Sequence, residues 1–393
     1  MVARAQVSTA GMKITTRYLS REVWISVTFV LAALLSLFFL LDLLNELDDV
    51  GRGNYRLQSA ALFVLMELPG TAYDVLPIAA LIGTVYALAQ FAATSEFTIM
   101  RGSGLSTFSA ASIIVKAAIP IVIAGFLIGE YVVPPSQLLA NQMRAMRISG
   151  SSSAVDLRSG FWIKDEITDA DGAAIGTRFV NAVRVNVDGT LGEVRLYEFD
   201  RGMRLVSLGR AESAVHEPGQ GWKLEQLTET RFHSVRPRNG LFAGRPIVDR
   251  ADVTHEAERV WNTRLDPSVF SSTGIDPATM SVQALYTYVD HLKRTRQRST
   301  RQEIALWKKF TTPAAVAVMM LLALPFAYLQ TRSGAVGVKL FAGIMIGVAF
   351  WFANTLSSHV GMLNQWPPLA AATAPAIIAL VAATFWLRWV DRH

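Results

Sequence analysis

Cysteine is absent from the 393-residue sequence, and charged residues are scarce. The lack of cysteine excludes a thiolate metal site, a cysteine nucleophile and a disulfide framework. Asp, Glu, Lys and Arg make up 17% of the residues, against about 25% in a soluble protein, whereas 51% are hydrophobic. This composition excludes a soluble enzyme, a disordered chain and a nucleic-acid binder that carries its net charge of +6 on a soluble surface.

The charges that are present are concentrated in one segment. Residues 133–302 contain 23 of the 37 Lys and Arg residues and 20 of the 31 Asp and Glu residues. The rest of the chain is therefore much more apolar than the average suggests. This separation predicts a membrane-embedded part and one charged domain, whose length of about 170 residues is enough for folding on packing alone.

Six stretches are apolar enough to cross a bilayer. A spanning helix needs about 20 apolar residues, because the hydrocarbon core is about 30 Å thick and a helix rises about 1.5 Å per residue. The third stretch is the weakest, because it contains Lys116. We predict a polytopic α-helical membrane protein with three spans on each side of the charged segment. The predicted spans are Val23–Leu41, Val75–Ser95, Ser106–Val133, Phe310–Thr331, Leu340–Ser358 and Val360–Leu387.

Lys and Arg in the short flanks predict the orientation, because positively charged loops stay in the cytoplasm. Arg17 and Arg21 precede span 1, whereas Asp48 and Asp49 follow it. Both termini are therefore predicted to be cytoplasmic, and residues 133–302 to lie outside the cytoplasm. The other basic residues in the predicted cytoplasmic flanks are Arg4, Lys13, Arg101, Arg332, Lys339, Arg388 and Arg392.

Span 1 could also be a cleaved signal peptide, since a basic flank precedes an apolar run. The run of about 19 residues is longer than a typical signal core. The sequence after it, DLLNELDDV, lacks the small residues of a cleavage site. We therefore expect a retained membrane anchor.

The charged segment has the pattern of strands followed by one helix. Asp188-Gly189, Asp200-Arg201-Gly202 and Pro218-Gly219-Gln220-Gly221 are turn signals spaced at intervals typical of an all-β sandwich or jelly roll. Ser281–Arg298 then carries an apolar stripe at helical spacing. The stripe consists of Leu285, Tyr288, Val289 and Leu292.

Motifs for catalysis and metal binding are missing. The string GAVGVK (Gly334–Lys339) lacks the spacing and the Ser or Thr of a Walker A motif, and neither HExxH nor GxSxG occurs. The six histidines are scattered. We predict no catalytic residue and no metal site, so any ATP that drives this protein would be hydrolysed by another subunit.

Glu67 and Asp74 lie seven residues apart, on one helical face just before span 2. They could form a proton relay. The uncharged stretch from Val75 already fills a bilayer, however, so we expect both carboxylates to sit in water above the span. Lys116 is similarly expected to reach the cytoplasmic interface with its long side chain.

The loop SEFTIMRGSGLS (Ser95–Ser106) predicts a short cytoplasmic helix, because Ser and Glu suit its start and the two glycines suit its end. Phe97, Ile99 and Met100 would be exposed, since the helix has no obvious core of its own. Such a helix either docks a cytoplasmic partner or lies on the lipid surface, and the residues alone favour neither.

Basic residues also occur on the predicted outer side, against the usual bias. Arg144 and Arg147 follow span 3, and a longer basic series precedes span 4. Either a phosphate-bearing ligand in the outer leaflet or a solvated basic helix would explain them. The series comprises His291, Lys293, Arg294, Arg296, Arg298, Arg301, Lys308 and Lys309.

Five strings in order along the chain carry a family signature. They are LPIAALIGTVYALAQFAATSEFTIMRGSGLS (Leu76–Ser106), GEYVVPP (Gly129–Pro135), WKKFTTPAAVAVMMLLALPFAY (Trp307–Tyr328), GVKLFAGIMIGVAFWFAN (Gly337–Asn354) and NQWPPLAAATAPAI (Asn364–Ile377). Over nearly the whole chain the sequence resembles the lipopolysaccharide export permeases of the LptF/LptG family. The GEYVVP and NQWPP strings are more similar to the G than to the F subunits.

The resemblance implies six transmembrane helices with an inserted all-β periplasmic domain like a jellyroll. Residues 1–135 would hold spans 1–3 and a coupling helix at 95–104. The jellyroll would occupy residues 136–280, a connecting helix residues 281–302, and spans 4–6 residues 303–393.

The resemblance also implies partners. Such permeases pair as LptF with LptG around a cavity, are driven by the dimeric cytoplasmic ATPase LptB, and pass lipopolysaccharide to the bridge protein LptC. ATP and Mg²⁺ would be used by LptB, so this chain would bind no cofactor itself. Lipopolysaccharide would enter beside spans 1 and 5 from the outer leaflet of the bacterial inner membrane.

Three sets of site residues are expected from this resemblance and the charge pattern. The residues expected to dock on the ATPase are Glu96, Phe97, Met100, Arg101 and Gly104. Those expected to bind lipopolysaccharide phosphate are Arg144, Arg301 and Lys309. Those expected to hold the acyl chains are Phe38, Phe39, Phe350 and Phe352. One departure from the family is acidic: Asp42, Asp48 and Asp49 stand where family members often carry lysines.

The expected function is that of a non-catalytic permease subunit of an ABC transporter. It would extract lipopolysaccharide from the outer leaflet of the inner membrane and pass it to a periplasmic bridge towards the outer membrane. Two alternatives stay open. One is a membrane-anchored scaffold whose β domain only binds a partner, and the other is a proton-coupled transporter that uses Glu67 and Asp74.

Overall fold

A computed structural model describes most of the chain. The described residues are 2–149, 153–168, 174–186, 189–217, 221–235, 247–261, 263, 265, 269–270, 276–328 and 336–392. Of the positions discussed above, Asp188, residues 218–220, Thr331, Arg332 and residues 334–335 lie outside this set.

Within the described ranges, six helical segments are long and apolar enough to cross a membrane. The helices are α1 (Val2–Glu46), α2 (Leu57–Ala93), α3 (Glu96–Gly102), α4 (Thr107–Leu127), α5 (Val133–Ser149), α6 (Val282–Arg294), α7 (Thr300–Ala323), α8 (Pro325–Tyr328), α9 (Val336–Leu363) and α10 (Pro368–Arg392). A π-helical turn, Ile128–Val132, joins α4 to α5. Span 3 therefore runs through α4 and α5, and span 4 through α7 and α8. The prediction of a six-span helical membrane protein with an inserted β domain is confirmed.

The helices extend beyond the apolar stretches that predicted them. Helix α2 begins at Leu57, well before the predicted start at Val75. The predicted boundary between spans 5 and 6 at residue 359 is wrong, because α9 continues to Leu363. The helix ends there with a Schellman-type turn, in which Gln365 is left-handed and Trp366 N donates to Gly361 O at 3.0 Å.

Helix α2 is the centre of the membrane bundle, and α1 lies close against it. A Cβ atom on Gly83 of α2 would lie 2.5 Å from the Cα atom of Val27 of α1, so only glycine permits this approach. The bundle core contains Leu19 and Val23 of α1, together with Leu88 of α2. Val316, Met319 and Met320 of α7 complete it from the other side.

The described strands form one six-stranded antiparallel sheet in which each strand pairs with the next along the chain. They are β1 (Ser153–Thr168), β2 (Ala174–Asn186), β3 (Leu191–Asp200), β4 (Leu205–Glu217), β5 (Gly221–Val235) and β6 (Ile247–Trp261). One face buries a separate apolar core around Trp222, whose indole donates to Leu265 O at 2.9 Å. The predicted turn at Asp200 is confirmed, since its carboxylate accepts from the backbone nitrogens of Gly202 and Arg204.

Helix α6 connects this domain to the membrane bundle, as the apolar stripe predicted. Ser281 caps it by accepting from Ala284 N at 3.2 Å. Its stripe residues Leu285, Val289 and Leu292 are buried, and Tyr288 packs against the β-domain core. The contacts at its two ends tie it to both neighbours: Glu130 of the π-helical turn accepts from Val282 N at 2.8 Å, and Lys164 of β1 donates to Thr295 O at 3.0 Å.

Candidate functional site

The short helix α3 is anchored to the bundle by its first turn. The ring of Phe97 is 2% exposed and makes an edge contact with the ring of Tyr328, with centroids 5.0 Å apart. The guanidinium carbon of Arg101 lies 4.9 Å from the centroid of the same tyrosine ring. Glu96 accepts a 3.2 Å hydrogen bond from the hydroxyl of Tyr18 on α1. These contacts hold α3 against α1 and α8.

Two left-handed residues place α3 at an angle to its neighbours. Ser95 directly precedes the helix, as predicted, but it has a φ of 62° and its side chain makes no capping hydrogen bond. Few residues other than glycine adopt this conformation. Gly104 has a φ of 103°, and a Cβ atom there would meet nothing within 4 Å. The glycine is therefore required by the backbone turn rather than by close packing.

Two large apolar side chains are exposed beside this turn. Ile99 of α3 is 69% exposed and Phe108, in the first turn of α4, is 85% exposed. The expectation that Phe97 would also be exposed is wrong, because the bundle core contains it. Met100 is half-buried. Sequence reasoning missed Phe108, although an aromatic residue in the first turn of a helix at a predicted cytoplasmic loop was a usable signal.

Arg144 is engaged by the acidic end of span 1. Its guanidinium lies 2.9 Å from Glu46 and forms a second ion pair with Asp49. It also lies 5.2 Å from the ring centroid of Phe63. Tyr55 donates to Glu46 at 2.9 Å, and burial raises the pKa of this tyrosine hydroxyl. Asp49, one of the acidic residues that follow span 1, is thus a partner for Arg144, and a phosphate would have to compete with two carboxylates for this cation.

The other two expected phosphate ligands lie in different surroundings. Arg301 is exposed and lies 3.3 Å from Asp276. Lys309 is 3% exposed, and its Nζ donates to Gly129 O at 3.1 Å. Among the described residues no contact joins Arg144, Arg301 and Lys309 into one phosphate site. The burial of Lys309 is inconsistent with the open basic rim that its position in the sequence suggested.

The phenylalanines expected to hold acyl chains are not equivalent. Phe352 is exposed, whereas Phe38 and Phe39 are half-buried on α1. Phe39 packs against the cluster of Phe63, Val64 and Ala140. Phe350 packs against the bundle core and lines a cavity. Of the four, Phe352 is the most accessible to an apolar ligand.

The spans differ widely in how much of their apolar surface the chain itself covers. Of the most apolar stretch in each span, 78% is buried in α2 and 61% in span 4, but only 6% in α1 and 17% in α9. Helices α1 and α9 therefore present apolar faces that need lipid or another apolar surface to cover them.

Glu67 and Asp74 lie inside helix α2, which begins at Leu57, and both precede the apolar stretch from Val75. Their expected position in water above the span stays a prediction. Glu67 is half-buried, and Asp74 faces a cavity that it shares with Lys308. Lys116 is exposed on α4. No group of three or more His, Asp or Glu side chains that could hold a metal ion is found in the described part of the chain.

Comparison with known proteins identifies the family. The sequence model described as "Lipopolysaccharide export system permease LptF/LptG" matches residues 17–389. The lipopolysaccharide export system permease protein LptG of Haemophilus influenzae is 28% identical over 372 residues, which cover 94% of this chain and 97% of that protein. LptG of Escherichia coli K12 is 29% identical over 361 residues, covering 92% and 94% respectively. Since the family model covers nearly the whole chain, the chain belongs to the lipopolysaccharide export permease family LptF/LptG, and it is similar to the LptG proteins of these two organisms.

Proposed function

We propose that the chain is the permease subunit of an ABC transporter that extracts lipopolysaccharide from the outer leaflet of the inner membrane and passes it to a periplasmic bridge. Family membership supports a role in lipopolysaccharide transport and a place in the inner membrane. The proposal adds the direction of lipid transport, ATP hydrolysis as its energy source, and the orientation of the chain in the membrane. Both termini and α3 are cytoplasmic in it, and the β domain is periplasmic.

The coupling surface beside α3 is the observation that supports this function best. A transporter driven by a separate ATPase must receive force on a part that moves with the bundle. Phe97 is buried among bundle residues and attaches α3 to them, while Ile99 and Phe108 project outward. We therefore assign Ile99 and Phe108 as contacts of the dimeric ATPase LptB, which would bind ATP and Mg²⁺. Glu96, Met100 and Arg101 would border that contact.

The uncovered faces of α1 and α9 support the expected pairing. A homologous permease, LptF, would face these helices across a shared cavity, and lipopolysaccharide acyl chains would enter between them. Phe352 on α9 is exposed on such a face. The contacts at both ends of α6 link the bundle to the β domain, which would deliver the lipid to LptC.

Charge substitutions on the exposed side of α3 test the coupling. Ile99→Asp and Phe108→Asp should each reduce copurification of the ATPase and lower ATP turnover at least tenfold, because a buried unpaired carboxylate is strongly unfavourable in an interface. Leu363→Asp is the matched control, since Leu363 is an equally exposed apolar residue at the opposite end of the bundle. Unchanged copurification in the first two variants would favour a membrane-anchored scaffold.

Glu96 needs a test that separates docking from anchoring. Glu96→Arg should abolish ATPase-coupled transport if the carboxylate contacts the ATPase. Tyr18→Phe removes only the hydrogen bond that Tyr18 donates to Glu96 and should leave ATP turnover within about twofold. Equal losses in both variants would mean that Glu96 acts by holding α3 to α1 and not by docking.

A further inference from the structure

A cavity with a few charged groups in a largely apolar wall opens between α2, α7, α9 and α10. Its volume is about 230 Å³, and its wall includes Asp74, Lys308, Lys309 and Asn354. Ala278, in the short segment before α6, also lines it, so the cavity lies at the β-domain end of the bundle. Phe350 and Trp351 form an apolar part of the same wall, which therefore combines charged and aromatic surface.

The cavity lies at the level of the lipid headgroups. Asp74 precedes the end of α2 at Ala93 by about 19 residues, or about 28 Å of helix. Lys308 precedes Tyr328 by about 20 residues and Asn354 follows the start of α9 by about 18, so both lie at a similar height. A hydrocarbon core of about 30 Å places all three near its far boundary. In the orientation proposed above, this is the outer leaflet.

The presence of Trp351 in the wall is consistent with a cavity at the level of the headgroups. The side chain of Trp351 is 52% exposed and also lines the cavity. Tryptophan is enriched at the boundary between hydrocarbon and headgroups, where one edge of its ring is apolar and the other polar. The cavity can therefore be reached from the headgroup layer.

The charged groups of the wall are incompletely satisfied by the protein. Asp74 makes no hydrogen bond or ion pair among the described residues and is exposed to the cavity. Lys308 Nζ has a long contact of 3.5 Å to Asn354 O. Lys309 is held by Gly129 O, and its ammonium lies 5.6 Å from the ring centroid of Tyr73. The wall thus offers one carboxylate without a hydrogen bond and one loosely held ammonium, and the opposite charges of these two groups attract each other.

We propose that this cavity binds the headgroup of a zwitterionic phospholipid of the phosphoethanolamine class. The phosphate would pair with Lys308, with Lys309 contributing positive charge from behind. The primary ammonium would donate to Asp74, and the first carbons of the lipid would lie along Trp351. Opposite charges at the two ends of the ligand match opposite charges on the wall, and charge-assisted hydrogen bonds of this kind are stronger than neutral ones. The inference depends on the outward orientation proposed above but not on lipopolysaccharide being the substrate.

Lipid titration of the purified full chain, with the subunits that copurify, tests this site by native mass spectrometry. Phosphatidylethanolamine should bind about tenfold more tightly than phosphatidylglycerol, which has no ammonium group. Phosphatidylcholine should fall between them, because its methylated ammonium cannot donate a hydrogen bond. Millimolar inorganic phosphate should not displace the lipid. Equal binding of all three lipids would overturn the proposal without any variant being needed.

Two variants assign the preference to the cavity. Asp74→Asn should remove the advantage of phosphatidylethanolamine over phosphatidylglycerol, whereas Lys308→Gln should weaken both lipids by a similar factor. Lys116→Gln is the control, since Lys116 is exposed on α4 away from the cavity. A preference that survives Asp74→Asn would contradict the site. Stoichiometric displacement of the lipid by lipopolysaccharide would also overturn it, and would assign the cavity to the transport path instead.

Failure of the cavity proposal can be distinguished from failure of the proposed function. Loss of ATP turnover after Ile99→Asp concerns the coupling surface near α3, which follows the C-terminal end of α2, whereas Asp74 lies near the middle of that helix. If lipid selectivity is retained in that variant, the cavity stands on its own. If selectivity is absent while ATP-driven lipopolysaccharide release is normal, the cavity proposal alone is wrong.

Discussion

The β domain and the membrane bundle complete their cores in different ways. The β domain encloses its core with one face of its sheet, helix α6 and residues such as Phe270. The bundle covers α2 on nearly every side but leaves α1 and α9 largely bare. The domain can therefore fold on its own contacts, whereas the bundle has surfaces whose partners lie outside the chain. Substitutions in the two regions should therefore differ in how strongly they lower the stability of the single chain.

The largest effect is expected in the β-domain core. Trp222→Ala should lower the free energy of unfolding of that domain by about 3–5 kcal/mol, because it leaves a cavity and an unpaired Leu265 carbonyl. This loss is measured by thermal unfolding, with near-ultraviolet circular dichroism as the signal. Trp162→Ala is the matched control, since Trp162 is about half exposed and only stacks on Tyr197. A similar loss in both would show that the domain core is not self-contained.

Within the membrane region, the buried and bare helices should respond differently. Leu88→Ala on α2 should cost about 2–3 kcal/mol, because the side chain is fully buried and the lost packing leaves a cavity. Phe352→Ala on α9 should change the stability of the single chain by less than about 0.5 kcal/mol. Unfolding in detergent measures the effect of each substitution on the stability of the single chain. Pull-down of a second six-span chain measures its effect on pairing. A strong destabilisation of the isolated chain by Phe352→Ala would contradict the difference between α2 and α9.

The contact between α1 and α2 should depend on one glycine. Gly83→Ala should cost about 1–3 kcal/mol, because its methyl group would overlap the Val27 backbone. Gly337→Ala on α9 meets nothing within 4 Å and should be neutral or slightly stabilising. The melting temperatures of the two variants, measured in the same detergent, compare these effects. A neutral Gly83→Ala would mean that α1 moves freely against α2.

The smallest effect is a pH dependence where α6 meets the β domain. Burial lowers the pKa of His291 below its ordinary value of 6.5, although the nearby Asp165 opposes this shift. Burial raises the pKa of Asp165, against the hydrogen bond from Thr263 and the charge of Arg178. The other charges that act on His291 are those of Asp290 and Arg294.

The sign for His291 follows from proton binding. A histidine with a lowered folded-state pKa binds fewer protons when folded, so its contribution to stability falls as the pH drops through 6.5 towards that pKa. Asp165 acts in the opposite sense at lower pH, because its raised pKa makes the folded state bind the proton more readily. His291→Gln should therefore flatten the loss of thermal stability between about pH 7 and pH 6. If thermal stability falls with pH as steeply in this variant as in the original protein, groups other than His291 control the pH dependence.

Local patterns of the sequence predicted much of the architecture. Five charge-free stretches and one that contains Lys116 identified the six spans. The apolar stripe at Leu285 and Val289 identified α6, and Asp200 with Gly202 identified a strand turn. Each of these signals lies within one helix or one turn, where hydropathy and backbone preference act. The family strings added the expected topology and partners, and the family itself is confirmed.

The contacts of the candidate sites could not be predicted in the same way. Arg144 meets Glu46 across 98 positions of sequence, and Phe97 meets Tyr328 across 231. Asp74 shares a cavity with Lys308 of another span. Neither charge nor hydropathy along the chain indicates which distant residue will lie opposite.

The sequence by itself determined which segments enter the membrane, because transferring charged side chains into hydrocarbon is costly and their absence is visible residue by residue. It also determined that the charged domain consists of strands followed by a helix. Only the tertiary structure decided that Phe97 is an anchor while Phe108 is exposed, that Arg144 is held by carboxylates, and that Asp74 and Lys308 share a cavity. The reason is that burial and pairing depend on how helices pack side by side, and that packing brings together residues from distant parts of the chain.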